Sequence, residues 1–102
     1  MSQNQFQIPQ EMQAIEILEF GGPENLKSCT RPVPKLSNGQ VLIKVLFAGV
    51  NRPDLLQRQG NYKVPETASD IPGLEVSGTV VDIKDTNSKF NLGDKVCALC
   101  HG

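Results

Sequence analysis

Near the start of the chain, residues 12–20 are mostly apolar and are interrupted only by single polar residues, which predicts a strand. Gly21-Gly22-Pro23 then predicts a turn. A second segment, residues 26–33, ends among prolines. We therefore expect two successive strands, the second of them irregular.

Two longer runs predict two further strands. Residues 40–50 are β-branched or apolar on both faces, with Lys44 as the only charge, which indicates a central strand buried on both sides. Residues 73–83 form the other run, where Gly78 predicts a bulge or a bend.

The polar segment between these two runs predicts one short helix. Asn51 is a favoured N-cap residue, and Asp54 complements the positive end of the helix dipole. Leu55 and Leu56 are expected to face the core. Gly60 should end the helix, because glycine adopts the left-handed conformation easily.

A fifth strand at residues 95–99, after a Leu-Gly-Asp turn, completes a mainly β pattern with one short helix. Unequal strands that contain glycine favour a curled, partly closed sheet over a flat one. The 102 residues suffice for one domain at most, which we place at residues 12–102 behind a flexible polar tail at residues 1–11. A net charge of −1 without a basic block disfavours nucleic acid and anionic membranes as partners.

Three cysteines without an amino-terminal export signal indicate reduced thiols in a cytoplasmic protein. Cys97, Cys100 and His101 spell C-x-x-C-H, the pattern of covalent haem attachment, and a half zinc site that adds Cys29 is another interpretation. Haem attachment requires export, and alternation along a strand puts Cys97 and Cys100 on opposite faces, so neither use is favoured. We expect two small buried thiols.

Four sequence blocks carry a resemblance to a known family. They are EILEFGGPENL at residues 16–26, AGVNRPDLLQRQGNY at 48–62, IPGLEVSGTVV at 71–81 and LGDKV at 92–96. In this order and spacing they resemble the amino-terminal part of the medium-chain dehydrogenase/reductase superfamily, and within it the zinc-independent, zeta-crystallin-like quinone oxidoreductases. The resemblance implies a GroES-like fold, a partly open β-barrel that forms the catalytic domain.

Two positions distinguish this chain from the zinc-dependent alcohol dehydrogenases, which it also resembles. Those enzymes carry Cys where Asn51 stands and His where Leu74 stands. An amide and an aliphatic side chain cannot replace a thiolate and an imidazole as zinc ligands, so we predict no metal site. Hydride transfer without a metal suits an electrophile that needs little activation, such as a quinone.

Asn51 and Tyr62 are the predicted site residues, both as catalytic groups and as contacts of the cofactor. The resemblance places Asn51 near the nicotinamide of NADPH and Tyr62 in the substrate pocket, where its ring can stack and its phenol can donate a hydrogen bond. Asp54 is expected to orient its neighbours, and Glu75 to support the site. A plain N-cap role for Asn51 and a half-buried packing role for Tyr62 are the alternatives.

The chain contains no Gly-x-Gly-x-x-Gly turn for the phosphates of a dinucleotide. In the family a Rossmann domain that follows this region supplies that turn, and the full-length proteins form homodimers. We therefore expect an incomplete piece of an NADPH-dependent quinone oxidoreductase, inactive by itself, whose substrate is a small quinone or enone. The alternative is a free-standing GroES-like binding module without catalysis, and a zinc-dependent alcohol dehydrogenase relative is less favoured.

Overall fold

The computed structural model describes residues 6–84 and 87–100, and within them the chain is mainly β with a single α-helix. The strands are β1 (Glu11–Ile17), β2 (Leu26–Pro32), β3 (Val41–Gly49), β4 (Glu75–Ile83) and β5 (Lys95–Leu99). The helix α1 (Arg52–Gln59) lies between β3 and β4, and one turn of 3-10 helix (Pro23–Asn25) precedes β2. The predicted elements are all present, and their ends differ from the prediction by three residues at most.

β1 and β2 form an antiparallel hairpin that pairs Glu11 with Pro32 at its open end. The N–H of Val33 donates to the C=O of Gln10 at 2.9 Å and extends this pairing by one step. Glu11, which the sequence analysis assigned to the tail, is therefore a strand residue. Residues 1–5 of that tail lie outside the described part of the chain, and its flexibility stays a prediction.

The other three strands form one open antiparallel sheet in the order β3-β4-β5. The prediction that residues 40–50 form a central strand buried on both faces is wrong, because β3 is an edge strand in which Leu46 is 55% and Phe47 74% exposed. β4 lies in the middle and carries the buried apolar core of the described residues, Val80 and Val81. An apolar run shows that a strand suits a core, but long-range pairing decides which strand acquires two neighbours.

Gly78 allows β4 to lie very close to β3. It pairs with Val45, and a Cβ atom at this position would collide with the backbone carbonyl oxygen of Lys44. The register of the two strands shifts directly beyond this pair, between Val45 and Phe47. The predicted irregularity at Gly78 is confirmed, although the extra residue belongs to β3 rather than to β4.

The helix α1 begins and ends as its sequence predicts. Asn51 takes the N-cap position with an extended backbone (φ −127°, ψ 164°), and Gly60 follows the last turn in the left-handed conformation (φ 85°, ψ 13°). Leu56 is half-buried, but the prediction that Leu55 faces the core is wrong, since Leu55 is 41% exposed and Gln57 only 4%. Side chains two residues apart on a helix point about 200° away from each other, and α1 turns Gln57 inward.

The Leu-Gly-Asp turn before β5 is confirmed. Gly93 has a φ of 90°, and its N–H donates to the C=O of Val80 at 2.8 Å. The N–H of Val80 donates in return to the C=O of Asp94 at 2.9 Å. These reciprocal bonds continue the pairing of β4 with β5 past the first residue of β5, so the turn sets the register of the last strand.

Candidate functional site

Asp54 joins the start of α1 to the start of β4. One of its carboxylate oxygens accepts the backbone N–H of Asn51 at 2.9 Å, which closes the helix cap. The other oxygen accepts the N–H of Gly73, just before β4, at 3.1 Å. Asp54 thus orients its neighbours, as the sequence analysis expected, and it holds the backbone of Asn51 beside β4.

The side chain of Asn51 turns toward Glu75. Its Nδ2 donates to Oε1 of Glu75 across 3.4 Å, a long hydrogen bond at an exposed position. Glu75 pairs with Gly49 in the β3-β4 ladder, and a Cβ atom on Gly49 would collide with this carboxylate. Gly49 therefore makes room for Glu75, a role that the sequence analysis missed although a glycine inside a strand often marks a close approach.

Tyr62 lies beyond the other end of α1, in the loop of residues 61–74. It is half-buried and lines an open cavity of about 460 Å³. Apolar surface in this cavity comes from Ile17, Phe20, Val64 and Ala68, and polar groups come from Gln57 and Asp70. A mostly apolar lining with a few polar groups is typical of a small-molecule site.

The two predicted site residues lie at opposite ends of α1. Asn51 precedes the helix and Tyr62 follows it, and a helix of eight residues is about 12 Å long. Tyr62 lines the open cavity, and Asn51 is not among the residues that line it.

The resemblance places Asn51 and Leu74 at the metal-ligand positions of zinc-dependent alcohol dehydrogenases. Leu74 is half-buried just before β4, and its C=O accepts the N–H of Cys100 at 2.6 Å. Within residues 6–84 and 87–100, no group of three or more His, Cys, Asp or Glu side chains is arranged to hold a metal ion. The donor set at Asn51 and Leu74 does not fit a catalytic zinc ion, which requires three N, S or O ligands.

Cys97 and Cys100 are both exposed, so the prediction of buried thiols is wrong. Cys97 lies in β5, an edge strand of five residues in which every second side chain is exposed, and Cys100 follows that strand. Alternation along a strand buries one face only when another layer covers it. His101 of the C-x-x-C-H run lies outside the described residues, and Cys29 is half-buried in the other sheet.

An ion-pair network ties the 61–74 loop to the β1-β2 hairpin. Arg31 of β2 donates through Nη1 to Asp70 at 3.1 Å and through Nη2 to Glu16 of β1 at 3.2 Å. The hydrogen bond from Arg31 lowers the pKa of Asp70 below its usual value, and the hydrogen bond to Asp70 raises the pKa of Arg31. The sequence analysis missed this network, because its members are far apart in the chain and belong to no motif.

Residues 37–102 match the family model of the alcohol dehydrogenase GroES-like domain. The chain belongs to this family. The mainly β, GroES-like fold with open sheets and one helix, which the resemblance implied, is therefore confirmed.

Curated relatives support the same placement. The human synaptic vesicle membrane protein VAT-1 homolog-like is 36% identical over 89 residues, which are 87% of this chain and 21% of the relative. The human quinone oxidoreductase is 40% identical over 88 residues (83% and 26%). The chloroplastic NADPH-dependent alkenal/one oxidoreductase of Arabidopsis thaliana is 37% identical over 93 residues (89% and 24%). The chain thus spans about a quarter of the length of these relatives.

Solved structures show the same fold. The human VAT-1 homolog-like protein superposes with a TM-score of 0.78 at 35% identity, over 87% of this chain and 29% of that protein. The quinone oxidoreductase of Coxiella burnetii gives 0.75 at 30% identity (87% and 35%). A mycobacterial protein in complex with NADPH gives 0.72 at 36% identity (87% and 26%). The resemblance to quinone oxidoreductases of the medium-chain dehydrogenase/reductase superfamily is confirmed.

One of these relatives is named a membrane protein. In the part of this chain that the structure describes, no helix has the length and apolar character needed to cross a bilayer.

Proposed function

We propose that the complete protein is an NADPH-dependent oxidoreductase that transfers a hydride to a quinone or an enone and uses no metal ion. The 40% identity to a quinone oxidoreductase carries this proposal. A relative of 37% identity that is named as NADPH-dependent and alkenal/one-reducing supports the choice of cofactor and of electrophile. The amide and the aliphatic side chain at Asn51 and Leu74 support the metal-free part, because neither is a zinc ligand.

Asn51 is the group of this chain that fits the nicotinamide end of NADPH. Its amide is exposed at the start of α1, and an amide can both donate to and accept from a carboxamide. Asp54 holds its backbone and Glu75 its side chain, so the amide is oriented before a ligand arrives. NADPH supplies the hydride when it is bound, and its phosphates require a glycine-rich turn that this sequence does not contain.

Tyr62 is the group that we assign to the substrate. Phe20 and Ile17 add apolar surface to the cavity that it lines, which suits the flat face of a quinone ring. The phenol of Tyr62 can donate a hydrogen bond to the substrate oxygen on which negative charge develops. Since Asn51 and Tyr62 lie at opposite ends of α1, we assign Asn51 to the cofactor and Tyr62 to the substrate.

Two measurements on the complete protein test this proposal. Oxidation of NADPH should depend on an added p-quinone or enone, and mass spectrometry should find far less than one zinc ion per chain. The 102-residue chain alone should show no turnover, because it cannot hold the phosphates of the cofactor. Absence of quinone and enone turnover in the complete protein, or one zinc ion bound per chain next to Asn51, would contradict the proposal.

Substitutions at Tyr62 test the residue assignment. Tyr62→Phe should lower kcat/KM for a quinone by about 3- to 10-fold, because one hydrogen bond is lost while the ring remains. Tyr62→Ala should lower it further, since the stacking surface is lost as well. Equal kinetics for the three proteins would remove Tyr62 from the site.

A further inference from the structure

Arg31 reaches from the β1-β2 hairpin to the 61–74 loop. It pairs with Met12, four residues before Glu16 on β1, so its side chain must extend along the hairpin to bring Nη2 within 3.2 Å of Glu16. From there Nη1 and Nη2 donate to the two carboxylate oxygens of Asp70 at 3.1 and 3.4 Å. Two parallel bonds between a guanidinium and a carboxylate restrict direction as well as distance.

Asp70 is also held through its backbone. Its C=O accepts a hydrogen bond from Nε2 of Gln57 at 3.0 Å, and Gln57 is only 4% exposed. A buried amide without its partner is costly, so Gln57 ties the backbone of Asp70 to α1. Residue 70 is therefore a point at which the loop is attached both to the helix and to the hairpin.

Tyr62 and Asp70 line the same cavity from two parts of the 61–74 loop. This loop contains no strand or helix, and between Tyr62 and Asp70 a turn that joins Ala68 N–H to Pro65 C=O at 3.0 Å orders its path. A segment with little regular structure opens more easily than the strands around it, so its attachment points determine its position. A displacement of Asp70 would therefore move the wall of the cavity that Tyr62 shares.

We propose that Arg31 is a positioning residue for the Tyr62 cavity: by holding Asp70, it keeps the 61–74 loop against the hairpin and sets the affinity for the substrate ring. The statement about the substrate rests on the proposed function, whereas the statement about the loop does not. Stabilisation of the whole fold is the competing explanation for this ion pair. This explanation is weak. The Asp70 side chain is 77% exposed, and an ion pair at an exposed position changes a folding equilibrium by about fivefold at most.

The same fivefold factor matters more for the local opening of a loop, because local opening costs less free energy than unfolding of the whole domain. The magnitude of the ion pair therefore suits control of a loop better than stabilisation of a domain. Glu16 fits this assignment. It accepts a hydrogen bond from Nη2, which also donates to Asp70, and it thereby directs the guanidinium along the hairpin toward the loop.

In the 102-residue chain, the fluorescence of Tyr62 reports the position of the loop, because Tyr62 is the single tyrosine and the chain contains no tryptophan. Quenching of its fluorescence by acrylamide, a neutral molecule, measures its accessibility independently of charge changes. Asp70→Asn and Arg31→Gln should each raise the quenching constant by about two- to fivefold. The double variant should show no further rise, because both substitutions remove the same link.

Matched controls separate positioning from a general loss of structure. Glu66→Gln removes an exposed carboxylate of the same loop and should leave the quenching constant unchanged. Asp70→Glu keeps a carboxylate for Arg31 and should restore most of the protection. Equal quenching in the wild type, Asp70→Asn and Arg31→Gln would overturn the proposal, as would an equal rise in Glu66→Gln.

Kinetics of the complete protein test the substrate part. Arg31→Gln, a change outside the cavity lining, should raise KM for a quinone about three- to fivefold and leave kcat within about twofold, because binding changes while the reacting groups stay. Increased quenching with an unchanged KM would support the positioning of the loop and contradict the assignment of the substrate to this cavity. If no quinone is reduced at all, the proposed function fails, and the quenching constants still decide whether Arg31 positions the loop.

Discussion

Gly49 and Glu75 face each other in the β3-β4 ladder so closely that a methyl group on Gly49 would collide with the Glu75 carboxylate. The space left by the missing side chain lets Glu75 turn back, and its Oε1 lies 3.4 Å from Nδ2 of Asn51. The orientation of Asn51, the proposed nicotinamide contact, thus depends on a glycine two positions earlier.

Gly49→Ala should displace the Glu75 carboxylate and release the side chain of Asn51. The clash is with the mobile end of a side chain, so the fold should persist with a loss of about 1 kcal/mol or less. The side-chain amide signals of Asn51 in NMR spectra should move, and Glu75→Ala should move them in the same direction. Unchanged Asn51 signals in both variants would show that the contact does not form in solution.

Asp54→Ala should destabilise the chain by about 1 to 2 kcal/mol, because the backbone N–H groups of Asn51 and Gly73 both lose their acceptor. Urea denaturation followed by circular dichroism measures this loss. Glu66→Ala is the control, since it also removes an acidic side chain but one in an exposed part of the loop. Equal midpoints for the two variants would contradict the role that we assign to Asp54.

Gly78→Ala should destabilise the chain by about 1 to 3 kcal/mol, because its methyl group would collide with the backbone carbonyl of Lys44, which cannot move without disturbing the β3-β4 pairing. Gly22→Ala is a matched control. Its backbone already has a φ of −80°, and the new methyl group would meet only the mobile carboxylate of Glu24. Thermal unfolding should therefore separate the two variants, and similar midpoints would argue against a tight approach of the strands at Gly78.

The Arg31–Asp70 contact should be lost in acid. The hydrogen bond from Arg31 lowers the pKa of Asp70 below its ordinary value of 3.8. The contact is therefore fully present above that value and disappears as the pH falls through the lower pKa of the folded state. In an NMR titration of the Asp70 carboxyl carbon, Arg31→Gln should move the midpoint up toward 3.8. Arg52→Gln, a change of another arginine, should leave it in place, and an identical midpoint in all three proteins would refute the pairing.

Local residues account for the parts of the fold that could be predicted. Asn51 and Gly60 mark the ends of α1, and strand-forming residues between turn signals locate the five strands of the described residues. These signals act between residues a few positions apart, so a sequence is sufficient to detect them. The place of β3 at the sheet edge was not predictable in this way, because its apolar run would suit a central strand equally well.

The same distinction between local signals and long-range contacts applies to the candidate site. Asn51 and Tyr62 were recognisable from the residues around them, and the predicted helix already separated them, but the space that Gly49 leaves for Glu75 was not predictable. The contact of Arg31 with Asp70 joins residues that are 39 positions apart. No local pattern encodes such a pair, because it exists only after the hairpin and the loop have been packed against each other.

The sequence by itself determined where strands, turns and the helix lie, and it placed the chain in its family, because caps, glycines and hydrophobic periods are properties of neighbouring residues. Only the tertiary structure decided which strand is central, which thiols and leucines face solvent, and which side chains hold the Tyr62 loop. Those features depend on contacts between distant segments, whose free energy is set by packing and not by local preference.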